Sequence, residues 1–301
     1  MIIETVPNFS EGRREAVLSA IAKSFCVPGL TLLDYSGDVD HNRSVYTAAG
    51  TAEGIEEGLL AAIACAKEHI DLRTHKGEHP RVGAADVVPL IPIDGVTVAE
   101  CVALARRIGG RIWKELGIPV YLYESAATRP HCRNLADVRA GGFEGLAGKM
   151  QDPAWHPDFG DPIPHISAGA VVLGVRKPLI AYNFLLNTMD LQVAKDIARA
   201  IRARNGGLEC VKALGMMLQG KGAQVSVNLT DYEVNGLYEV YMAVSKEVSK
   251  RGVKVISSEL IGLVPTKALQ DAAAKFLTME NFTFEKVLEN KIDQMTKKEN
   301  G

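Results

Sequence analysis

The order β-α-β-β-α-β can be read twice along this chain, and that repetition limits its fold more than any other feature. In the first half, residues 2–6 read as an apolar strand stopped by Pro7, which has no N–H to give to a ladder. A helical pattern runs from Ser10 to about Phe25, with Val17, Leu18 and Ile21 on one face. Strands are predicted over 30–35 and 44–48, separated by a Gly/Asp turn, and Thr51 is placed to cap a helix ending near Ile70. A buried strand over 86–93, a helix over 97–116 and a strand over 118–123 close this half.

A Gly-, Pro- and Asp-rich stretch, roughly 140–168, then reads as a long connection, of a length that is often functional. The second half opens with a strand pattern over 170–183 that turns at Arg176-Lys177-Pro178. A helix over 190–204 ends at Asn205-Gly206-Gly207. Strands near 211–218 and 223–230 form a hairpin about Gly220-Lys221-Gly222, followed by a helix over 234–250, a strand over 253–259 and a helical region from Thr266. This is the split-βαβ signature. The expected fold class is therefore α/β (α+β): two ferredoxin-like split-βαβ subdomains side by side, over 1–178 and 179–295, with a ligand tunnel between them.

Composition excludes several functions. A formal net charge of -2 provides no field to recruit nucleic acid or an anionic membrane. No apolar run approaches the ~18 residues of a membrane span, and the N-terminus lacks the basic and apolar regions of a signal peptide. The five cysteines are odd in number and scattered, with no C-x-x-C pair, which points to a reducing, cytoplasmic setting. No G-x-G-x-x-G follows a strand, and there is no Walker A and no G-x-S-x-G elbow.

Three polar segments can carry chemistry. Arg73-Thr74-His75-Lys76-Gly77-Glu78-His79-Pro80-Arg81 places histidines, the side chains best suited to proton transfer near neutral pH, between a long helix and a buried strand. Taken alone, it fits a solvated charged loop as well as a catalytic one. A metal site is disfavoured, because the i, i+4 histidine pair needs a helix that Gly77 and Pro80 oppose, so no metal is expected. In Ser36 to Tyr46, Asp38 and Asp40 can face a cation and Arg43 can grip a carboxylate, or the segment is simply an Asx-type turn. Residues 155–169 combine aromatics, prolines and acids, suiting either a stiff loop against a flat heteroaromatic ligand or a Pro-rich linker.

Longer motifs resemble a known family. Val6-Pro7-Asn8-Phe9-Ser10-Glu11-Gly12, Asn42 to Thr47, His75 to Ala84, Pro157-Asp158-Phe159-Gly160, Leu179 to Asn183, Gln224 to Leu229 and Leu260 to Pro265 are similar to the glutamate formiminotransferase family over about residues 1–285. The resemblance implies transfer of a formimino group from N-formimino-L-glutamate to N5 of tetrahydrofolate, the latter a co-substrate, by a homodimer with a folate tunnel between its subdomains. The cyclodeaminase domain fused to this unit in vertebrates is not expected within these 301 residues. It implies that the catalytic histidine is His79 and that folate contacts fall on Gly160, Asp161, Pro162, Ile163, Pro164, His165, Ile166, Ser167, Ala168 and Gly169. Around them, Asp38, Asp40, Asn42, Arg43, Glu78 and Arg81 are the substrate-binding candidates. One departure stands out: where the family often has an acid two residues after the position of Asp34, this chain has Ser36. The rival readings are a 5-formyltetrahydrofolate:glutamate formyltransferase in the same fold and a folate-binding protein without catalysis.

Overall fold

A computed structural model describes residues 1–292 except Asp40, Glu78, His79 and Gln219. The chain divides into two compact units, Met1–Lys177 and Pro178–Gly301.

In the first unit, β1 (Ile2–Thr5) and β2 (Asn8–Phe9) form one strand interrupted at Val6-Pro7, and both segments pair with the same two neighbours. The helix expected from Ser10 begins later, as α1 (Glu15–Ser24). Ser10 Oγ instead donates to the Gly83 carbonyl at 2.7 Å, while Glu11 Oε1 accepts the amides of Arg13 and Arg14 and satisfies the donors ahead of the helix. β3 (Leu30–Asp38), β4 (Arg43–Gly50), α2 (Ala52–His69) and β5 (Ala85–Asp94) follow, with Thr51 capping α2 through its side chain. The order β3-β4-β1/β2-β5 is that of a split βαβ unit.

The chain then adds α3 (Val98–Arg111), β6 (Val120–Glu124), α4 (Leu135–Arg139), α5 (Gly142–Lys149) and β7 (Val171–Val175). β7 inserts between β5 and β6, parallel to both, giving a seven-stranded sheet. Two expectations are corrected here. The strand pattern over 170–183 is two strands: β7 in the first sheet, then β8 (Ile180–Leu186) in the second. The stretch 140–168 is not a connection between halves. Val138, Leu146 and Met150 bury against Val87, Tyr121, Tyr123 and Val172, on the sheet face opposite the main core of Ile3, Phe9, Phe25, Tyr46, Leu59 and Leu90. At roughly 1.5–3 kcal/mol for each large apolar side chain buried, both layers contribute substantially to this unit.

The second unit runs β8, α6 (Leu191–Ile201), β9 (Val211–Leu218), β10 (Gly222–Leu229), α7 (Leu237–Lys250), β11 (Val255–Ile261) and α8 (Thr266–Phe276). Its four strands are antiparallel in the order β11-β8-β10-β9, again a split βαβ sheet. Phe184, Val225 and Val227 bury with Ile197, Val240 and Val244 from the helices. Because strand side chains alternate, Asn183, Gln224 and Ser226 stand on the other face.

Candidate active site

Two of the polar segments meet because of how β5 and β7 pair. Parallel neighbours begin at the same edge of a sheet, so the loops leading into them share that edge. The segment 73–81 leads into β5 and the loop 160–169 leads into β7. Backbone bonds staple the two on both sides of the histidine segment. Leu72 N donates to the Ser167 carbonyl at 2.9 Å, and beyond the segment Ala84 N reaches Ala168 O and Ala170 N reaches Val82 O, each at 2.9 Å. Gly169, at φ 68°, is required at this junction, since a Cβ there would sit 2.0 Å from the Val82 oxygen.

The turn between β3 and β4 grips the same segment. Asn42, itself at a left-handed φ of 48°, accepts from Gly12 N at 3.0 Å through Oδ1 and donates to the Lys76 carbonyl at 2.9 Å through Nδ2. Its own carbonyl lies 3.0 Å from His75 Nε2, and since a carbonyl only accepts, Nε2 carries the hydrogen. Asn42 is only 8% exposed, and its bond to Gly12 is fully buried while those to Lys76 and His75 are partly so. Gly77 fits beneath the turn only without a side chain, its Cβ position being 2.3 Å from the His41 oxygen.

His75 is held as the neutral Nε2–H form. Burial depresses its pKa, the Arg81 charge adds to the depression, and the bond to Asn42 opposes it. Its Nδ1 is buried without a hydrogen-bond partner among the described residues. Arg81 donates to the His75 carbonyl at 3.2 Å and pairs with Glu144 of α5 at 2.9 Å. Asp38 accepts the His41 amide at 2.9 Å and contacts His41 Nδ1 at 2.7 Å. The expected residues His79, Glu78 and Asp40 lie outside the described residues.

Arg43 is half-buried. Burial lowers its pKa, the neighbouring Arg139 charge lowers it further, and Asp86 and Asp38 act in the other direction. Asp86, 1% exposed, accepts Val82 N at 2.8 Å and also receives Arg139 of α4. Sequence reading missed Asp86 and Arg139. The available signal was Asp86 as the one charge in the apolar run from Ala84 to Ile93.

In the loop 160–169, His165 and Gly169 exchange backbone bonds at 2.9 Å. His165 Nδ1 accepts from Ala168 N at 3.1 Å and so is unprotonated, and burial, then the Lys67 charge, lowers its pKa. Ile163 and Ile166 project into solvent at 68% and 69% exposure. A depression of about 320 Å³ opens between this loop, Leu72, Arg73 and α5, with Pro164, His165, Ile166 and Phe143 in its walls. Among the described residues, no group of three or more His, Cys, Asp or Glu is arranged to hold a metal ion, and no helix is long and apolar enough to cross a membrane.

Two split-βαβ units, the first with a histidine segment stapled to a Gly/Pro loop beside a depression, define an α+β architecture with a candidate small-molecule site. Comparison with known proteins narrows it. The N-terminal subdomain of the formiminotransferase domain matches residues 2–176, and the formiminotransferase domain matches 181–298. Glutamate formimidoyltransferase of Streptococcus pyogenes serotype M1 is 46% identical over 292 residues, 96% of this chain and 98% of the relative. The protein of the same name in Thermoplasma acidophilum is 42% identical over 297 residues, 97% of this chain and 98% of the relative. Formimidoyltransferase-cyclodeaminase of Sus scrofa is 44% identical over 287 residues, 93% of this chain but 53% of the relative, so the chain spans about half of that protein. The chain belongs to the formiminotransferase domain family.

Proposed function

We propose that this chain is a transferase that moves the formimino group of N-formimino-L-glutamate to N5 of tetrahydrofolate, giving 5-formiminotetrahydrofolate and L-glutamate. The observation that carries this reading is the end-to-end similarity, at 46% identity, to a glutamate formimidoyltransferase that matches over 98% of its own length.

The chemistry follows from the substrates. The formimino carbon belongs to an amidine, cationic at neutral pH and electrophilic. N5 attacks it, a C–N5 bond forms, and the N5 proton passes to His79. When the tetrahedral intermediate collapses, the bond to the glutamate nitrogen breaks and that nitrogen takes the proton back from His79. Such shuttling is worth about 10²–10⁴-fold. Asp38, Asp40 and Glu78 are assigned to the amidinium, and Arg43 and Arg81 to the carboxylates of the glutamate moiety. Residues 160–169 hold the folate, a role supported by the depression beside His165 and the exposed Ile163 and Ile166. Asn42, whose polar groups are engaged within the chain, acts as a positioning residue: its bonds to Lys76 and His75 fix the backbone entering His79. The transfer as written requires no metal and no redox cofactor.

A homodimer in the cytoplasm is part of the same reading. The five free thiols suit a reducing compartment, and the dimer rests on the family resemblance. Incubation with formiminoglutamate and tetrahydrofolate is expected to change the folate absorbance. No change at high enzyme concentration, or turnover only of 5-formyltetrahydrofolate with glutamate, overturns the proposal.

A further inference from the structure

The helix-free face of the second sheet carries a polar cluster that the mechanism above does not use. Asn183 on β8 lies directly opposite Ser226 on β10 and Glu259 on β11, and Gln224 is the next residue of β10 on that face. Two neutral amides converge on one carboxylate oxygen: Gln224 Nε2 donates to Glu259 Oε1 at 3.2 Å and Asn183 Nδ2 donates to it at 3.4 Å. Both amides are out of water, Asn183 9% and Gln224 4% exposed, whereas Glu259 is exposed. Asn183 Oδ1 is buried and has no hydrogen-bond partner among the described residues.

A buried acceptor left unpaired costs about 1–3 kcal/mol and calls for an explanation. With both amides donating to Glu259 Oε1, two acceptors of the cluster remain, the buried Asn183 Oδ1 and the second oxygen of Glu259, one neutral and one anionic. The complementary ligand is an N–C–N edge with two N–H donors, one for the second oxygen of Glu259 as a charge-assisted bond and one for the amide acceptor. Both substrates of the proposed reaction have such an edge: the 2-amino and N3–H groups of the pterin, and the formamidinium of the donor.

We propose that Asn183, Gln224 and Glu259 form a subsite for an N–C–N donor edge, with Glu259 as the anionic contact and the two amides holding its orientation. The subsite rests on the formimino-transfer reading for the identity of its ligand, and the test separates the two. Glu259→Gln keeps the size of the side chain and removes the charge. Because Glu259 is exposed, the variant is expected to keep the wild-type melting temperature. Calorimetric titration uses 5-formyltetrahydrofolate, which retains the pterin edge and has no formamidinium. If the pterin is the source, its Kd rises at least about tenfold, the scale of one charge-assisted hydrogen bond. If the formamidinium is the source, that Kd is unchanged and KM for formiminoglutamate rises by a similar factor. Asn183→Ala, if it folds, reproduces the same selective loss. A folded Glu259→Gln protein in which neither value moves, or in which only kcat falls, overturns the subsite. Wild-type protein without turnover but with Glu259-dependent folate binding sinks the reaction and leaves the subsite standing.

Discussion

The two units start from one element order and use it differently. The C-terminal unit keeps the four-stranded antiparallel sheet, covers one face with helices, and places its uncharged amides and Glu259 on the other. The N-terminal unit adds two parallel strands beyond β5 and a second apolar layer. That addition brings the loop 160–169 alongside the segment 73–81, because β5 and β7 begin at the same edge. All seven histidines of the chain also lie before Pro178. On the readings proposed above, the extended unit supplies proton transfer and the plain one recognition.

The largest effect expected from this contrast is on stability. Asp86 is buried and charged, while Glu259 is charged but exposed. Asp86→Ala leaves Arg139 and the Val82 amide without their acceptor and is expected to cost about 3–5 kcal/mol, the range for breaking a buried ion pair. Glu259→Gln should cost under about 1 kcal/mol. Urea unfolding of both variants measures this, and equal losses would erase the distinction.

Next is the chemistry itself. His79→Ala is expected to lower turnover at least ~10²-fold while folding and folate binding persist. Near-wild-type turnover in the folded variant would remove proton transfer from the first unit. A smaller effect is expected at Asn42. Asn42→Gly accommodates the positive φ but loses the bonds to Gly12 and Lys76, about 1–2 kcal/mol together. Asn42→Ala adds roughly 1–2 kcal/mol of left-handed strain. If Asn42 only positions the segment ahead of His79, kcat falls in both variants and neither KM changes. A raised KM for formiminoglutamate alone would make Asn42 a substrate contact.

The C-terminal unit was easier to read from sequence because its signals are local. Apolar alternation and the glycines around Lys221 place β9 and β10 where the structure has them. In the extension of the first unit α3 and β6 are legible as elements but their arrangement is not, since β7 pairs with β5 across a long stretch of chain and element order does not say between which strands a later one inserts. The sequence of α5 resembles loop because Gly142, Gly145 and Gly148 lower its helix propensity. It forms because Leu146 buries against the sheet. At the site, the histidine and arginine types mark their segments as candidates for proton transfer and carboxylate binding. Asp86 did not, since an acid at the start of an apolar strand gives no periodic signal.

The smallest expected effect is a pH dependence confined to one unit. His75 and His165 both have pKa values lowered from the usual 6.5, chiefly by burial. The unfolded chain therefore takes up protons below about pH 6.5 that the folded unit refuses. Stability is at its plateau above that pH and falls as pH drops through 6.5 toward the folded values. The second unit has no histidine, and its shifted carboxylates act lower. In Glu247, Lys250 and Arg251 hold the pKa below 4.5; in Glu239 burial raises it, but the Lys275 contact and the backbone amides of Glu239 and Gly236 together bring it below 4.5 as well. Between pH 6.5 and 5 its stability should be flat. Hydrogen exchange at both pH values tests this: protection of α2 and β5 amides should fall at pH 5, once the intrinsic exchange rate is corrected for, while that of β8 and β10 holds. His75→Gln should remove part of the loss. An equal fall in both units would mean that the histidine-rich side of the molecule is not what sets its acid sensitivity.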